Sequence, residues 1–437
     1  MAAEKTREWL SSLTIYWNIR ILCIGLLGFS SGLPLLLVMG TLAARLSESG
    51  VSLQDIGAFT LVTFAYGFKW LWSPIVDQLP FPLLCRLFGR RRGWMLASQL
   101  ATAGCILGLG FSNPAESLWA TALWAIALSF ASATQDIVID AFRVERLNSE
   151  EMGAGAGVIV LGYRLGMVVA GGGALILADL WGWAGAYSLM AALMGVGVLA
   201  ALILPDPPLP TTGEATPRPS LAEWVRHAVV DPLRDFAARR GWLLILLFIA
   251  LYKYGDALLS AMSTPFYLQM GFSKTEIGVV TKGFGITFTI IGGLGGGVLV
   301  ARLGIMRALL VCGVLQAASN LLFAALAITG HNMPVLMATI AVENFTSGMG
   351  GAAFVAYLSS LCSLSYTATQ YALVSSLMAT ARTFLASGGG WLAEQMSWLQ
   401  YFLLTALAAL PGLLLLLWLM RLPQTPAGVT AVSAAKD

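Results

Sequence analysis

The sequence predicts an all-α membrane protein whose twelve transmembrane helices form two similar halves. Hydrophobic residues make up 58% of the 437-residue chain, and charged residues make up only 11%. A water-soluble domain usually carries about 25% charged residues. The mean hydropathy of +0.79 also indicates a membrane protein. The length accommodates twelve spans of about 20 apolar residues each, joined by short loops.

Twelve long apolar stretches divide the chain. They do not alternate between polar and apolar residues, so they predict helices rather than the strands of a membrane barrel. The predicted spans are residues 20–43, 56–76, 94–112, 117–141, 154–178, 184–204, 242–267, 275–300, 307–328, 333–358, 367–391 and 398–420. The predicted domains are an N-terminal segment (1–19), a first half (20–204), a linker (205–241), a second half (242–420) and a tail (421–437).

Positive charge is distributed very unevenly between the predicted loops. If residues 1–19 are cytoplasmic, 18 of the 25 Lys and Arg residues fall in cytoplasmic segments, and only Arg45 and Lys274 fall outside. The other five lie within spans. Because cytoplasmic loops are enriched in Lys and Arg, this bias predicts that both termini are cytoplasmic.

The linker combines a proline-rich stretch with a second, helical stretch. Residues 221–240 place apolar side chains on one helical face and arginines elsewhere, which predicts a basic amphipathic helix on the inner leaflet. The residues of the predicted apolar face are Trp224, Val225, Val229, Leu233 and Phe236.

Cysteine and histidine usage excludes several classes of protein. The five cysteines are scattered and odd in number, and the two histidines form no metal-binding pattern. We therefore expect no disulfide framework and no metal site. We also expect no nucleic-acid partner and no cofactor.

The two halves share sequence segments at corresponding places. The segment GVSLQDIG (50–57) matches GFSKTEIG (271–278), and GYRLGMVVAGGG (162–173) resembles TARTFLASGGG (380–390). Two parallel six-helix halves joined by a cytoplasmic linker are typical of a major facilitator transporter, with its substrate site in a central cavity.

A charged loop follows the second predicted span. Asp77 and the run GRRRGW (89–94) resemble the major facilitator loop motif Gly-x-x-x-Asp-Arg-x-Gly-Arg-Arg, although about twelve residues separate the acid from the arginines. In the second half Ala301 replaces the acid. We therefore predict a gate in the first half. Its predicted residues are Asp77, Arg90, Arg91 and Arg92, with Asp140 and Arg143 as a further pair at the end of the fourth span.

Charged side chains within the spans mark the predicted transport site. A charge at the bilayer centre costs about 2.5–3.5 kcal/mol, so such residues face the interior of the bundle and usually have a functional role. The predicted substrate-binding residues are Tyr66, Lys69, Gln135, Tyr163, Arg164, Lys253, Tyr254, Lys282 and Arg382. The predicted proton-coupling acids are Asp136, Asp256 and Glu343. Lys253 and Asp256, three residues apart, could instead neutralise each other.

Seven segments together resemble the AmpG-type muropeptide permeases. They are GFSSGLPLLL (28–37), FKWLWSPIVD (68–77), FGRRRGW (88–94), SATQDIVIDA (132–141), GAGAGVIVLGYRLGM (153–167), LYKYGDALLSAM (251–262) and GFSKTEIGVVTKGFG (271–285). The resemblance implies a multi-pass protein of the bacterial inner membrane that imports anhydro-muropeptides by proton symport. It also implies roles in wall recycling and β-lactamase induction. We expect a monomer, the default for the major facilitator architecture.

Three other functions fit the sequence less well than transport of muropeptides. A carrier of another anionic metabolite, such as acetyl-coenzyme A, would need a denser cluster of phosphate-binding cations. An intramembrane enzyme is conceivable because Asp136-x-x-x-Asp140 resembles half of a magnesium-diphosphate site, but the second half has no matching aspartate-rich motif. A membrane sensor would need a sizeable soluble output domain. We therefore expect a transporter and not an enzyme.

Overall fold

The computed structural model describes residues 14–148, 150–207, 223 and 226–421. Within these residues it contains twelve helical spans in two halves. In the first half α1 is Ile19–Val38 with Gly40–Glu48, α2 is a series of short pieces from Leu53–Ala58 to Ser73–Gln78, α3 is Arg90–Phe111, α4 is Leu118–Arg146, α5 covers 152–181 and α6 covers 183–203.

The second half repeats this arrangement. Its helices are α7 (Trp242–Leu251 and Tyr254–Gln269), α8 (274–303, ending in Gly285–Leu303), α9 (Ile305–Thr329), α10 (Met333–Ser360), α11 (Thr367–Ser387 and Gly389–Gln395) and α12 (Trp398–Leu407 and Leu410–Leu419). Eight helical stretches in the described residues are long and apolar enough to cross a membrane, and one of them contains both α5 and α6. The chain is therefore a multi-pass membrane protein.

Several helices are interrupted. Gly182, with φ of +71°, separates α5 from α6 in a left-handed conformation that favours glycine. The helix α2 is the most irregular, because 3-10 turns at Phe59–Thr63 and Lys69–Leu71 divide it. The helix α7 is broken at Tyr252 and Lys253. Such breaks are tolerated in a membrane only where protein or a water-filled cavity surrounds the backbone.

Of the five clusters of buried apolar residues in the described part of the chain, the four largest differ in which half supplies them. We call the end of the bundle that carries residues 79–92, 226–241 and 302–307 the basic end. Near it, one cluster of the first half includes Ala368 and Ala372 of α11, and one cluster of the second half includes Val144 and Ala156. The two clusters toward the opposite end are each built from one half alone. The halves therefore share a core only near the basic end.

Glycines bring α5 and α8 into backbone contact across the two halves. A Cβ added to Gly157 would lie 2.8 Å from the carbonyl oxygen of Gly293. A Cβ added to Gly297 would lie 2.7 Å from the carbonyl oxygen of Gly153 and 2.5 Å from the Tyr16 hydroxyl. That hydroxyl donates a hydrogen bond of 2.8 Å to the Leu294 carbonyl. Only residues without side chains allow this approach.

We expect Gly297→Val to separate the two halves at the basic end. A valine there would press against backbone atoms of α5, and such overpacking costs about 1–3 kcal/mol. Spin labels at the exposed residues Leu87 and Leu303, one on each half, would then report a longer distance. Gly295→Val is the matched control, because a Cβ at Gly295 meets no atom within 4 Å. An unchanged distance in Gly297→Val would contradict the tight contact.

The linker packs on the bundle through a short helical region, Arg226–Val230 and Asp231–Ala237. Ala228, Pro232 and Phe236 are its buried residues, and Phe236 belongs to the core near the basic end. Leu233, placed by the sequence on the apolar face, is 43% exposed. The predicted residues Trp224 and Val225 lie outside the described residues. The buried face is therefore rotated from the predicted one.

Gln370 of α11 ties this linker helix to the bundle. Its Nε2 donates to Asp235 at 2.7 Å and to the Pro232 carbonyl at 3.1 Å, and its Oε1 accepts from the Ser363 N–H at 2.7 Å. Arg239 donates to the Leu361 carbonyl as well. The linker therefore holds the loop that leads into α11.

We expect Gln370→Ala to loosen the linker without unfolding the protein. The substitution leaves buried polar groups unpaired, at about 1–3 kcal/mol, so amide hydrogen exchange in residues 226–239 should accelerate about ten-fold or more. Gln400→Ala, which removes an exposed capping side chain of α12, is the control. Unchanged exchange in the linker would show that Gln370 does not hold it.

Candidate transport site and gate

A buried ion-pair network closes the basic end. Arg91 of α3 lies 2.6 Å from an Asp77 carboxylate oxygen and 2.5 Å from a Glu145 carboxylate oxygen. The side chains of Arg91 and Asp77 are each 1% exposed. Arg90 reaches Glu145 at 3.3 Å. One guanidinium thus neutralises two buried carboxylates, a geometry in which each partner depends on the others.

The same network crosses to the second half at the beginning of α11. Asp77 accepts hydrogen bonds from the Thr369 N–H at 2.8 Å and the Thr369 hydroxyl at 2.7 Å. The Thr367 hydroxyl donates to Glu145 at 2.8 Å. A carboxylate at a helix N-terminus pairs free N–H groups and complements the helix dipole. Asp77 and Glu145 therefore join α2 and α4 to α11.

A second contact between the halves lies beside this network. Arg143 is 1% exposed, and its guanidinium donates to the Ser359 hydroxyl at 2.8 Å and lies 5.3 Å from the centre of the Tyr371 ring. It pairs with Asp140 at 3.5 Å, and Asp140 also lies 3.8 Å from Lys69. Asp140 and Arg143 thus form a pair, and Arg143 adds contacts with α10 and α11.

Arg92 lies elsewhere. Its guanidinium donates to the carbonyls of Ala201 and Leu202 at the end of α6, and its N–H donates to Asp206 at 2.8 Å. Burial, partly offset by the N–H groups of Arg92 and Arg90, raises the pKa of the Asp206 carboxyl above its usual value. These contacts of Arg92 therefore stabilise the first half rather than the junction between the halves.

Charged residues of the second half converge near the middle of the bundle. Lys253 lies 3.0 Å from Asp256 and donates to Gln316 at 2.9 Å, so this pair neutralises itself within the second half. Glu343 accepts from the Asn344 amide at 2.8 Å. Glu343 also interacts electrostatically with Asp256, Lys253, Arg382 and Arg164.

Two arginines from opposite halves face the space between these groups. Arg164 of α5 and Arg382 of α11 are both exposed although they lie in the middle of spans. Among the described residues neither guanidinium forms a hydrogen bond or an ion pair, and both lie within the electrostatic range of Glu343. A guanidinium without a direct partner is able to bind a carboxylate through paired, charge-assisted hydrogen bonds.

A polar cluster of the first half surrounds Asp136. The Ser31 hydroxyl donates to Asp136 at 2.5 Å, and Lys69 and Asp140 interact with the same carboxylate electrostatically. The hydroxyls of Tyr66 and Tyr163 lie within its electrostatic range. Tyr163 and Arg164 are consecutive on α5, so this helix connects the Asp136 cluster with the Glu343 cluster.

The remaining predicted residues are not all placed at the centre. Gln135 is fully buried and donates to the Ser30 hydroxyl at 3.1 Å, so its side chain is enclosed between helices of the first half. Tyr254 is half-buried at the start of the second piece of α7. The side chain of Lys282 lies outside the described part of the structure. Glu145, Ser31 and Thr369 are additions that the sequence analysis did not select.

The comparisons with known proteins agree with this architecture. The model of the Major Facilitator Superfamily matches residues 21–270 and 251–436. The anhydromuropeptide permease of Escherichia coli (strain K12) is 46% identical over 408 residues, which cover 93% of this chain and 80% of the relative. The chain belongs to the major facilitator superfamily and, within it, to the AmpG-type permeases.

More distant proteins support the same assignment. A Rickettsia felis protein named putative transporter AmpG 4 is 33% identical over 93% of this AmpG-type chain and 98% of its own length. The Escherichia coli fucose:proton symporter shares the fold with a TM-score of 0.68 at 12% identity, over 94% of this chain and all of the symporter. The major facilitator fold predicted from the repeat is confirmed, and this AmpG-type chain is a transporter rather than an enzyme.

Proposed function

We propose that this AmpG-type permease imports anhydro-muropeptides from the periplasm into the bacterial cytoplasm by proton-coupled alternating access. The relative at 46% identity is named for this cargo. The observation that carries the proposal is the pair of unpaired arginines, Arg164 and Arg382, supplied by opposite halves. A muropeptide carries carboxylates that two guanidinium groups can bind with paired, charge-assisted hydrogen bonds.

The basic end faces the cytoplasm in this proposal. The distribution of Lys and Arg between the loops supports that orientation. The state described here is then closed toward the cytoplasm, because the Asp77 network, Arg143 and the α5–α8 contact all lie on that side. The cavity is reached from the periplasm, where each half has a separate core.

We assign proton coupling to acids within the spans that lie near cations or hydroxyl groups of the protein. Asp136 beside Lys69 and Glu343 near Arg164 and Arg382 meet this condition. Asp256 is held by Lys253 and belongs to the same group. Binding of an anionic peptide to Arg164 and Arg382 would remove cations that stabilise the Glu343 carboxylate, which links cargo binding to proton uptake. We propose that the permease acts as a monomer.

The test is uptake of labelled anhydro-muropeptide by cells that lack their own permease. We expect uptake only in cells that make this protein, and we expect a protonophore to abolish it. Uptake that survives the protonophore would overturn proton coupling but leave the cargo standing. No uptake by protein that is present in the membrane would overturn the cargo, and other anionic metabolites would then be tested.

A further inference from the structure

Two successive hydrogen bonds connect α1 with α4 beside the Asp136 cluster. Gln135 Nε2 donates to the Ser30 hydroxyl at 3.1 Å, and the Ser31 hydroxyl donates to Asp136 at 2.5 Å. Each bond joins a residue of α1 to a residue of α4, and the two bonds are one residue apart on both helices. They therefore fix the same relative position of the two helices.

The two bonds have different surroundings. Successive residues of an α-helix point about 100° apart, because one turn contains 3.6 residues. Ser30 and Gln135 are 0% exposed and lie in the interior of the first half. Asp136 turns toward Lys69, Asp140, Tyr66 and Tyr163. Gln135, whose side chain lies in the interior, is thus the immediate neighbour in the chain of Asp136, whose side chain lies in the charged cluster.

The residues around Gln135 leave its side chain little room to change position. A Cβ on Gly197 of α6 would lie 2.4 Å from the Ser30 hydroxyl and 2.6 Å from Gln99 Nε2, so α6 closes over the bond. The oxygen of the Gln135 amide has no partner among the described residues. Its hydrogen bond to Ser30 is therefore the contact that fixes the side chain.

We propose that Gln135 is a positioning residue, which holds Asp136 against Ser31 and Lys69 and does not touch the substrate. This inference rests on the proposed function, since it gives Asp136 a part in transport. The Gln135–Ser30 bond prevents α4 from sliding or rotating against α1. If it is lost, Asp136 no longer keeps one position relative to Ser31 and Lys69.

Gln99 provides a matched control. It is also 0% exposed, and it lies in the same interior on α3. Neither its amide nitrogen nor its amide oxygen has a hydrogen-bond partner among the described residues. Replacing an unpaired buried amide by an apolar side chain of similar shape is close to neutral or stabilising. Gln99→Met and Gln135→Met are thus the same change at equal burial, but only Gln135 bonds to α1.

The experiment measures initial uptake of anhydro-muropeptide in membrane vesicles for Gln135→Met, Ser30→Ala and Gln99→Met, each with and without Asp136→Asn. We expect Gln135→Met and Ser30→Ala to lower the maximal rate about ten-fold with little change in KM, while Gln99→Met retains most of the rate. In the Asp136→Asn background the first two should have no further effect, because residues that act as a unit are not additive.

Several outcomes would overturn this proposal without touching the proposed function. One is normal uptake by Gln135→Met. Another is a rate loss in Gln135→Met that is equally large in the Asp136→Asn background, or that follows a fall in melting temperature which Gln99→Met shares. Normal uptake by Asp136→Asn itself would also overturn it, and would in addition remove Asp136 from the proposed proton-coupling acids while leaving the cargo standing. The absence of uptake by the wild-type protein would instead be a failure of the proposed function.

Discussion

Replacing Arg164 with alanine should lower muropeptide uptake by about 100-fold or more, while the protein remains folded in the membrane. The guanidinium is exposed and forms no hydrogen bond or ion pair with the described residues, so its loss breaks no direct contact within the protein. It removes one of the two cations that would bind the carboxylates of the cargo. Loss of one partner from a desolvated, hydrogen-bonded charge pair costs about 2–5 kcal/mol of binding free energy. Uptake by cells with matched protein levels measures the effect.

The control for this prediction is Arg86→Ala. Arg86 is exposed in the short helix Leu84–Phe88 at the basic end, so its removal changes net charge equally but leaves the cavity intact. A second variant, Arg164→Lys, keeps the positive charge and loses the paired hydrogen-bonding geometry of a guanidinium. We expect it to recover part of the uptake. Wild-type uptake by Arg164→Ala would remove this residue from the substrate site.

Replacing Arg91 with methionine should destabilise the closed basic end by about 3–5 kcal/mol. The carboxylates of Asp77 and Glu145 would stay buried without the cation that lies 2.6 and 2.5 Å from them. Only the more distant Arg90 would remain, 3.3 Å from Glu145 and 3.9 Å from Asp77, and removing one partner of a buried ion pair carries a cost of this size. We expect a lower melting temperature in detergent and a longer distance between spin labels at Leu87 and Leu303.

Arg86→Met separates the ion-pair effect from the general effect of removing an arginine at this end. A further variant, Asp77→Asn in the Arg91→Met background, removes one of the two stranded charges and should recover part of the stability. An Arg91→Met protein with the melting temperature and the spin-label distance of the wild type would show that the network does not hold the halves together.

Much of the fold could be predicted from the sequence, because membrane spans are set by length and apolar composition. The boundaries of α3, α9, α10 and α12 lie within a few residues of the predicted spans. The division of α2 by 3-10 turns could not be predicted, since its sequence is as apolar as that of a regular span. The breaks depend on which neighbouring helix accepts the freed backbone groups.

The residue types of the site could be predicted from the sequence, but the direction in which each side chain points could not. Asp77 and Arg91 were selected because they resemble the major facilitator loop motif, and Arg143 because it ends the fourth span; all three lie at the junction between the halves. Glu145 was missed because it lies among loop charges in the sequence, and only the fold brings it against Arg91 of α3 and Thr367 of α11. The sequence predicts Gln135 in the cavity because the rotation of an apolar helix about its axis cannot be read from a polar face. In the structure the side chain of Gln135 points about 100° away from that of Asp136 and is buried.

The unequal distribution of the four apolar clusters has a mechanical consequence. At the end away from the basic loops each half has its own apolar core. Separation of the halves at that end therefore exposes neither core. At the basic end, separation of the halves must remove Ala368 and Ala372 from the core of the first half, and Val144 and Ala156 from the core of the second. In the proposed alternating-access cycle, opening the basic end therefore has to break apolar contacts shared by the halves, whereas opening the other end does not.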